Sequence, residues 1–561
     1  MGERIRLAVR GLMTLLLVGA APVAAQVEPE PVAAGRVPGP GPYLPGFDAL
    51  HYDIRITVPA SGNRIEAMTT VNVARAGPVR DTLRLDLSGL RVTRVLAGRA
   101  DRDLAPVPFR QDDGRLFVAL PQSAAPDTQR VQVTYDGTPD DGLILRANVH
   151  GEAAAFADNW PDRARFWFPS IDHPSDKATA AYEVRAPRGW KVIANGVRTD
   201  TTEDDVWSYR VSEPIPTYTM VIGASRMSVG TVDACAQGGR IAARSDGCVA
   251  VTSWTFPQDS ANGARIFARG GDMIRYYSER FGPFPYESLA HVQSATRFGG
   301  MENVGAIFYS ERALQSGSLD EVTVAHETLH QWFGDAVTPA TWSHIWLSEG
   351  FATYFGIQYF EGADGVARFR QLLSVSAQQY LASRVTGLAI VDTLRVPDNN
   401  LFSLLNANSY QKGGQVLHML RGLVGDDAFF AAVRRYYEQH AHRNAHTADL
   451  QRILEEVARR DLGWFFEQWV YRPGHPILSV SHSFDSATRE ATIVIEQVQS
   501  ADWPTFRMPV ELEVVTAAAR VRHRVDVSER RTETRLRLDS APTSVEVDPD
   551  GWLLKELRSR S

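Results

Sequence analysis

The spacing of hydrophobic residues changes period twice along the chain. Tyr52, Ile54, Ile56 and Val58 share one parity, as do Leu83, Leu85 and Leu87, with glycine and proline between the runs. Alternation of this kind predicts strands with one buried face, and residues 46–230 are expected to form an N-terminal β-domain. A helical period follows. Val416, Leu420, Leu423 and Val424 recur at i, i+4, i+7 and i+8, and Leu450, Ile453, Leu454 and Val457 repeat the pattern behind an expected N-cap at Thr447. Residues from about 250 to 475 are therefore expected to be mainly helical, within a domain spanning 231–475. Beyond Pro476 alternation returns in Ala491, Ile493 and Ile495, in Val510, Leu512 and Val514, and in Val545 and Val547. The expected architecture is multidomain α+β, closed by a C-terminal β-sandwich over 476–561.

The first 45 residues fit none of these patterns. Arg4, Arg6 and Arg10 precede an apolar run from Leu12 to about Ala21, and Val23-Ala24-Ala25 stands before Gln26. A basic start, a short apolar core and small residues at a cleavage position predict a signal peptide over 1–25, cut after Ala25. Export to the periplasm or the medium is expected, with no stable membrane insertion after cleavage. The stretch 26–45, with Pro38-Gly39-Pro40-Gly41-Pro42, reads as a linker. Composition narrows the field further. With 44% hydrophobic and 22% charged residues the chain can bury a large interior, and a net charge of -7 gives no electrostatic reason to approach nucleic acid. The two cysteines, Cys235 and Cys248, lie among glycines, and in an oxidising compartment they are expected to close a small disulfide loop.

The chemistry concentrates between 299 and 412. His326-Glu327-Thr328-Leu329-His330 has the HExxH form, in which residues four apart on a helix present two imidazoles to one ion while the glutamate faces a metal-bound water. Ser318 and Glu321 offer a capping box at the start of that helix, and Gly334 a stop. With eighteen residues between it and His330 stands Glu349, in Trp346-Leu347-Ser348-Glu349-Gly350. Catalytic zinc takes three protein ligands and keeps one position open, so His326, His330 and Glu349 form the expected metal set and Glu327 the expected general base.

Together these segments resemble the M1 family of zinc aminopeptidases, the gluzincins that include aminopeptidase N and leukotriene A4 hydrolase. Three further segments carry the resemblance. Gly299-Gly300-Met301-Glu302-Asn303 is similar to the family's exopeptidase motif, and Tyr410-Gln411-Lys412-Gly413-Gly414 to the segment bearing its catalytic tyrosine. Arg165-Phe166-Trp167-Phe168-Pro169 and Ser175-Asp176-Lys177-Ala178 look like part of its N-terminal β-domain. The resemblance implies a thermolysin-like catalytic domain, one zinc per chain and peptide substrates with a free N-terminus. It assigns Tyr410 to oxyanion stabilisation and residues 299–303 to substrate binding, with Glu302 taking the α-ammonium. Gly299 and Gly300 are expected to let an extended peptide approach the backbone, and Phe298 to line the pocket for the first side chain.

Two departures stand out. Where the family places an amine-binding glutamine, this sequence has Trp160, leaving Glu302 to act alone or with Asp158 or Asn159. The chain also ends after its C-terminal β-domain, without the long helical domain of many relatives, so a more open cleft is expected. His344, His418, His442 and His446 are read as structural or solvent-facing. Two other readings compete: a hydrolase that accepts blocked or internal sites, or an epoxide as one relative does, and a silent zinc protein that binds peptides. Glu327 and Tyr410 argue against silence, because binding alone needs neither a proton carrier nor an oxyanion donor.

Overall fold

The computed structural model describes residues 46–75, 81–121, 128–199, 205–239, 247–392 and 400–558. The leader and linker expectations, 1–25 and 26–45, lie outside them. The first part of the chain is β-rich, as its alternation predicts. An eight-stranded sheet centres on Phe47–Thr57, paired antiparallel with Ile65–Arg75 and parallel with Lys177–Arg185. Tyr52, Ile54 and Ile56 point into the core from its central strand. Sheets of three and four strands accompany it, and Leu83, Leu85 and Leu87 are buried beside the first of these.

The next segment differs from expectation. A five-stranded sheet, in the order Ser228–Gln237, Cys248–Thr255, Ser288–Ser294, Ala306–Ser310, Gly300–Met301, is interleaved with the first helices, Ser260–Ile266 and Gly270–Phe281. A disulfide joins Cys235 to Cys248 across its first two strands. Its inner strands are buried on both faces, so they carry no alternation to read. Polar side chains on these strands find partners within the core: His291 Nδ1 lies 3.0 Å from the Tyr309 hydroxyl, although its Nε2 is unpartnered among the described residues, and Gln293 donates to Asp259 at 2.6 Å.

Helices dominate from Glu311 onward. Trp346–Ala363 is apolar around most of its circumference and packs between Glu321–His330 and Gly413–Val424. Glycines permit this close stacking. A Cβ on Gly356 would sit 3.0 Å from the His326 backbone, and one on Gly350 would sit 3.0 Å from Gly413 Cα. The last part of the chain forms sheets of four and three strands, with Ala491, Ile493, Ile495, Val510, Leu512 and Val514 fully buried.

Two expected caps shift. The zinc-motif helix is capped by Asp320 rather than Ser318: its carboxylate accepts from the Thr323 amide at 2.8 Å, a stronger acceptor placed at the helix mouth. At Thr447–Ala458 the cap is His446, reciprocated by Asp449. Thr447 instead turns inward, where its hydroxyl accepts from the Trp346 indole at 2.9 Å.

Candidate active site

The helix Glu321–His330 carries His326, Glu327 and His330, and the helix Trp346–Ala363 brings Glu349 against it. The two Nε2 atoms lie 3.1 Å apart, and Glu349 Oε2 lies 3.4 Å from His326 Nε2 and 3.3 Å from His330 Nε2. Bonds of about 2.0–2.1 Å to a tetrahedral zinc place neighbouring donors about 3.3 Å apart, so this spacing fits the ion. Glu349 Oε2 is buried and without a hydrogen-bond partner, a costly state that a cation relieves. The far side of His330 is tied down. Its Nδ1 lies 3.0 Å from Ser348 Oγ and 3.2 Å from the Phe333 carbonyl, which leaves Nε2 facing the metal position. Gly334 makes room for this arrangement at φ 125°, since a Cβ there would lie 2.5 Å from Ser348 Oγ and 2.8 Å from His330 Nδ1. It follows the helix, whose C-cap is Gln331.

Charge in the site is unbalanced by design of the fold. Glu302, Glu327 and Glu349 are all buried around one histidine. Burial pushes Glu302 up to about 7 and Glu327 well above the usual carboxylate range. Burial also acts to lower His330, but Glu302 and Glu349 outweigh it and push the imidazole up to about 10. Glu349, opposed by burial, is held at about 2 by the two imidazoles beside it, His330 foremost. Such a cluster attracts a cation.

Gly300 and Glu327 meet directly. A Cβ on Gly300 would come within 2.5 Å of Glu327 Cγ and Cδ. The glycine is thus demanded by the Glu327 carboxylate lying over it, a reason that differs from the expected approach of a peptide. Gly300–Met301 is nevertheless the edge of the five-stranded sheet, pairing only with Ala306–Ser310 among the described residues. Tyr410 enters on a π-helical turn, Asn408–Lys412, and its ring stacks on His326 with centroids 5.9 Å apart. Burial, reinforced by the neighbouring carboxylates, pushes its phenol well above the usual range, keeping it a hydrogen-bond donor.

Asp158 and Asn159 do not join this group. Asp158 is ion-paired to Arg163 at 3.0 Å and Arg297 at 3.3 Å. Asn159 is consumed by the Thr217 and Met220 carbonyls and the Trp167 indole. Trp160 is buried with its ring against Phe298, Trp342 and Phe402. An indole N–H only donates, so Trp160 cannot replace a glutamine carbonyl as an acceptor for an ammonium group. Of Glu302, Asp158 and Asn159, Glu302 is the one that lies with Glu327 and His330. Several positioning contacts had no clear sequence signal. Lys177 donates to the Asp335 and Ala336 carbonyls at 2.9 Å each, and Tyr218 to the Gly334 carbonyl at 3.0 Å, fastening the N-terminal β-domain to the loop after the zinc motif.

Comparison with known proteins decides the family. The peptidase M1 N-terminal domain matches residues 48–219, and the peptidase family M1 domain matches residues 267–469. The chain belongs to peptidase family M1. Among curated M1 relatives, glutamyl aminopeptidase of Bos taurus is 29% identical over 352 residues, covering 59% of this chain and 35% of its own length. Leucyl aminopeptidase of Saccharolobus solfataricus is 25% identical over 461 residues, covering 77% of this chain and 55% of its own. The chain thus spans from about a third to just over half of these relatives. The M1 zinc metallopeptidase from Deinococcus radiodurans aligns with a TM-score of 0.62 at 27% identity, over 74% of this chain and 92% of that one. Native yeast LTA4 hydrolase shares the fold, with a TM-score of 0.65 at 21% identity, over 77% of this chain and 69% of that one.

Proposed function

We propose that this M1 chain is a zinc-dependent aminopeptidase, hydrolysing the N-terminal bond of peptides, with one zinc per chain held by His326, His330 and Glu349. The observation that carries the reading is the meeting of this donor set with Glu302 and Glu327 beside an open strand edge. Zinc, when bound, supplies Lewis acidity, lowering the pKa of water it holds towards about 7. The chain's own groups do the rest. An extended peptide pairs with the Gly300–Met301 edge, and Glu302 accepts hydrogen bonds from its α-ammonium. Glu327 takes a proton from the attacking water and returns it to the leaving amine, a task suited to a carboxylate whose buried setting favours the protonated form. The Tyr410 phenol donates to the oxygen that gains negative charge. Phe298, packed on Trp160 and Phe402, lines the space for the first side chain. The names of the aminopeptidase relatives support the same reading.

The leader pattern and the Cys235–Cys248 bridge support export, because disulfides persist in oxidising compartments. No helix among the described residues is long and apolar enough to cross a membrane. One comparison tests the activity: hydrolysis of an amino-acyl anilide and its N-acetylated twin, each with and without chelator. Cleavage confined to the free amine and abolished by chelation is expected. Equal rates on the twins would remove Glu302 from amine recognition, and full activity after metal removal would overturn the zinc reading.

A further inference from the structure

Gln331, the residue after the second histidine, is fully buried and uses both ends of its amide on the Glu302 loop. Its Nε2 donates to the Glu302 carbonyl at 3.0 Å and to Asp335 Oδ2 at 2.8 Å, while its Oε1 accepts from the Gly305 amide at 2.8 Å. One side chain at the end of the zinc helix therefore grips the loop on both sides of residues 303 and 304. The Ala290 amide also holds this loop, donating to the Gly305 carbonyl at 2.9 Å, and the N-terminal β-domain braces it and the segment after the zinc helix. Asn195 donates to the Val304 carbonyl at 2.8 Å, and Lys177 holds the backbone of Asp335 and Ala336.

We infer that Gln331 is a positioning residue for amine recognition, fixing Glu302 at a set distance from the metal ligands so that only a free N-terminus bridges the two. This inference rests on the role given to Glu302 above. The physical reason is geometric. Glu302 belongs to a loop and the zinc ligands to helices, and the backbone groups that the Gln331 side chain engages, on Glu302, Asn303 and Gly305, lie within that loop. A loop released by about 1 Å misplaces the carboxylate, and displacements of that size cost up to about a hundredfold in rate. Asp335 completes the clamp, with a carboxyl that burial drives well above the usual range.

The test uses the full chain as wild type, Gln331→Met, Gln331→Glu, Glu302→Gln and the Gln331→Glu/Glu302→Gln double variant. Zinc content, kcat and KM are measured on an amino-acyl anilide and its N-acetylated twin. Gln331→Met is expected to keep one zinc per chain, raise KM for the free amine about tenfold, lower the free-to-blocked preference about tenfold and leave kcat within about threefold. Gln331→Glu keeps the acceptor for Gly305 but loses the donor to both Glu302 and Asp335. Being nearly isosteric, it gives a second reading with a shift in the same direction. In the Glu302→Gln background it should change the preference no further. An unchanged preference in Gln331→Glu, an equal fall on both twins, or additive losses in the double variant would each overturn the inference. Wild type cleaving both twins equally would sink the Glu302 reading and this one with it, whereas a selective wild type with an equally selective Gln331→Glu sinks this one alone.

Discussion

At the scale of single residues, the tightest constraint in the site is the pair Gly300 and Glu327. A methyl group on Gly300 would overlap the Glu327 side chain, so Gly300→Ala must displace either the edge strand or the carboxylate. Glu327 is not a zinc ligand in this reading, so the ion should remain. The expected result is kcat/KM lower by about a hundredfold with zinc content unchanged. Glu327→Gln goes further, keeping zinc while removing the proton carrier, and turnover should fall by at least two to four decades. Near-normal rates in either variant, measured beside metal analysis, would contradict the assigned geometry. These residues were legible in the sequence because their spacing encodes chemistry. The reason for Gly300 was not, since Glu327 lies 27 residues away and no local pattern reports that contact. Gln331 was hidden for the same cause: its partners are mostly backbone groups, which every residue possesses.

At the scale of elements, legibility followed burial. Strands with one exposed face announced themselves by alternation, as in Phe47–Thr57 and Glu490–Gln497. Ser288–Ser294 and Ala306–Ser310, covered on both faces, did not, and a sheet was missed where helices were expected. The helix carrying Glu349 shows a second limit, because its contact with the Tyr410 segment depends on two glycines meeting. A Cβ on Gly350 would lie 3.0 Å from Gly413 Cα and 3.3 Å from the Ser409 carbonyl. Gly350→Ala gains up to about 1 kcal/mol of helix propensity. Overpacking against rigid backbone costs about 1–3 kcal/mol, so the packing term should win. The expected variant is less stable and, because Tyr410 sits on the displaced turn, about tenfold slower in kcat with zinc retained. Thermal unfolding and steady-state rates check both parts, and a more stable, fully active variant would show that the two elements separate freely.

At the scale of the whole molecule, the C-terminal sheets are joined to the catalytic helices partly through a neutral histidine. His418 stacks on Trp552 at 4.6 Å, and its Nε2 lies 3.2 Å from the Gly551 carbonyl. Burial pushes its pKa down to about 3, with Arg421 and Arg370 acting in the same sense and Asp426 and the Gly551 bond against it. In the unfolded chain a histidine titrates near about 6.5. Between those values the unfolded state binds the proton and the folded state does not, so the contribution of His418 is intact above pH 6.5 and lost as pH falls towards 3. The slope is about 1.4 kcal/mol per pH unit. Asp172, which burial pushes up to about 6, works in the opposite direction, so the total acid profile is a balance. A difference measurement isolates His418. Gln in its place keeps a donor for Gly551 but cannot titrate, and it gives up the ring stack on Trp552. His418→Gln should therefore be the less stable protein at pH 7, then gain on wild type by about 1.4 kcal/mol for each unit below pH 6.5. Denaturant unfolding of both proteins at pH 7, 6 and 5 measures this. Parallel stability curves would mean that His418 takes up its proton as readily in the folded chain as in the unfolded one, and that the stacked, neutral ring is not what joins the two parts.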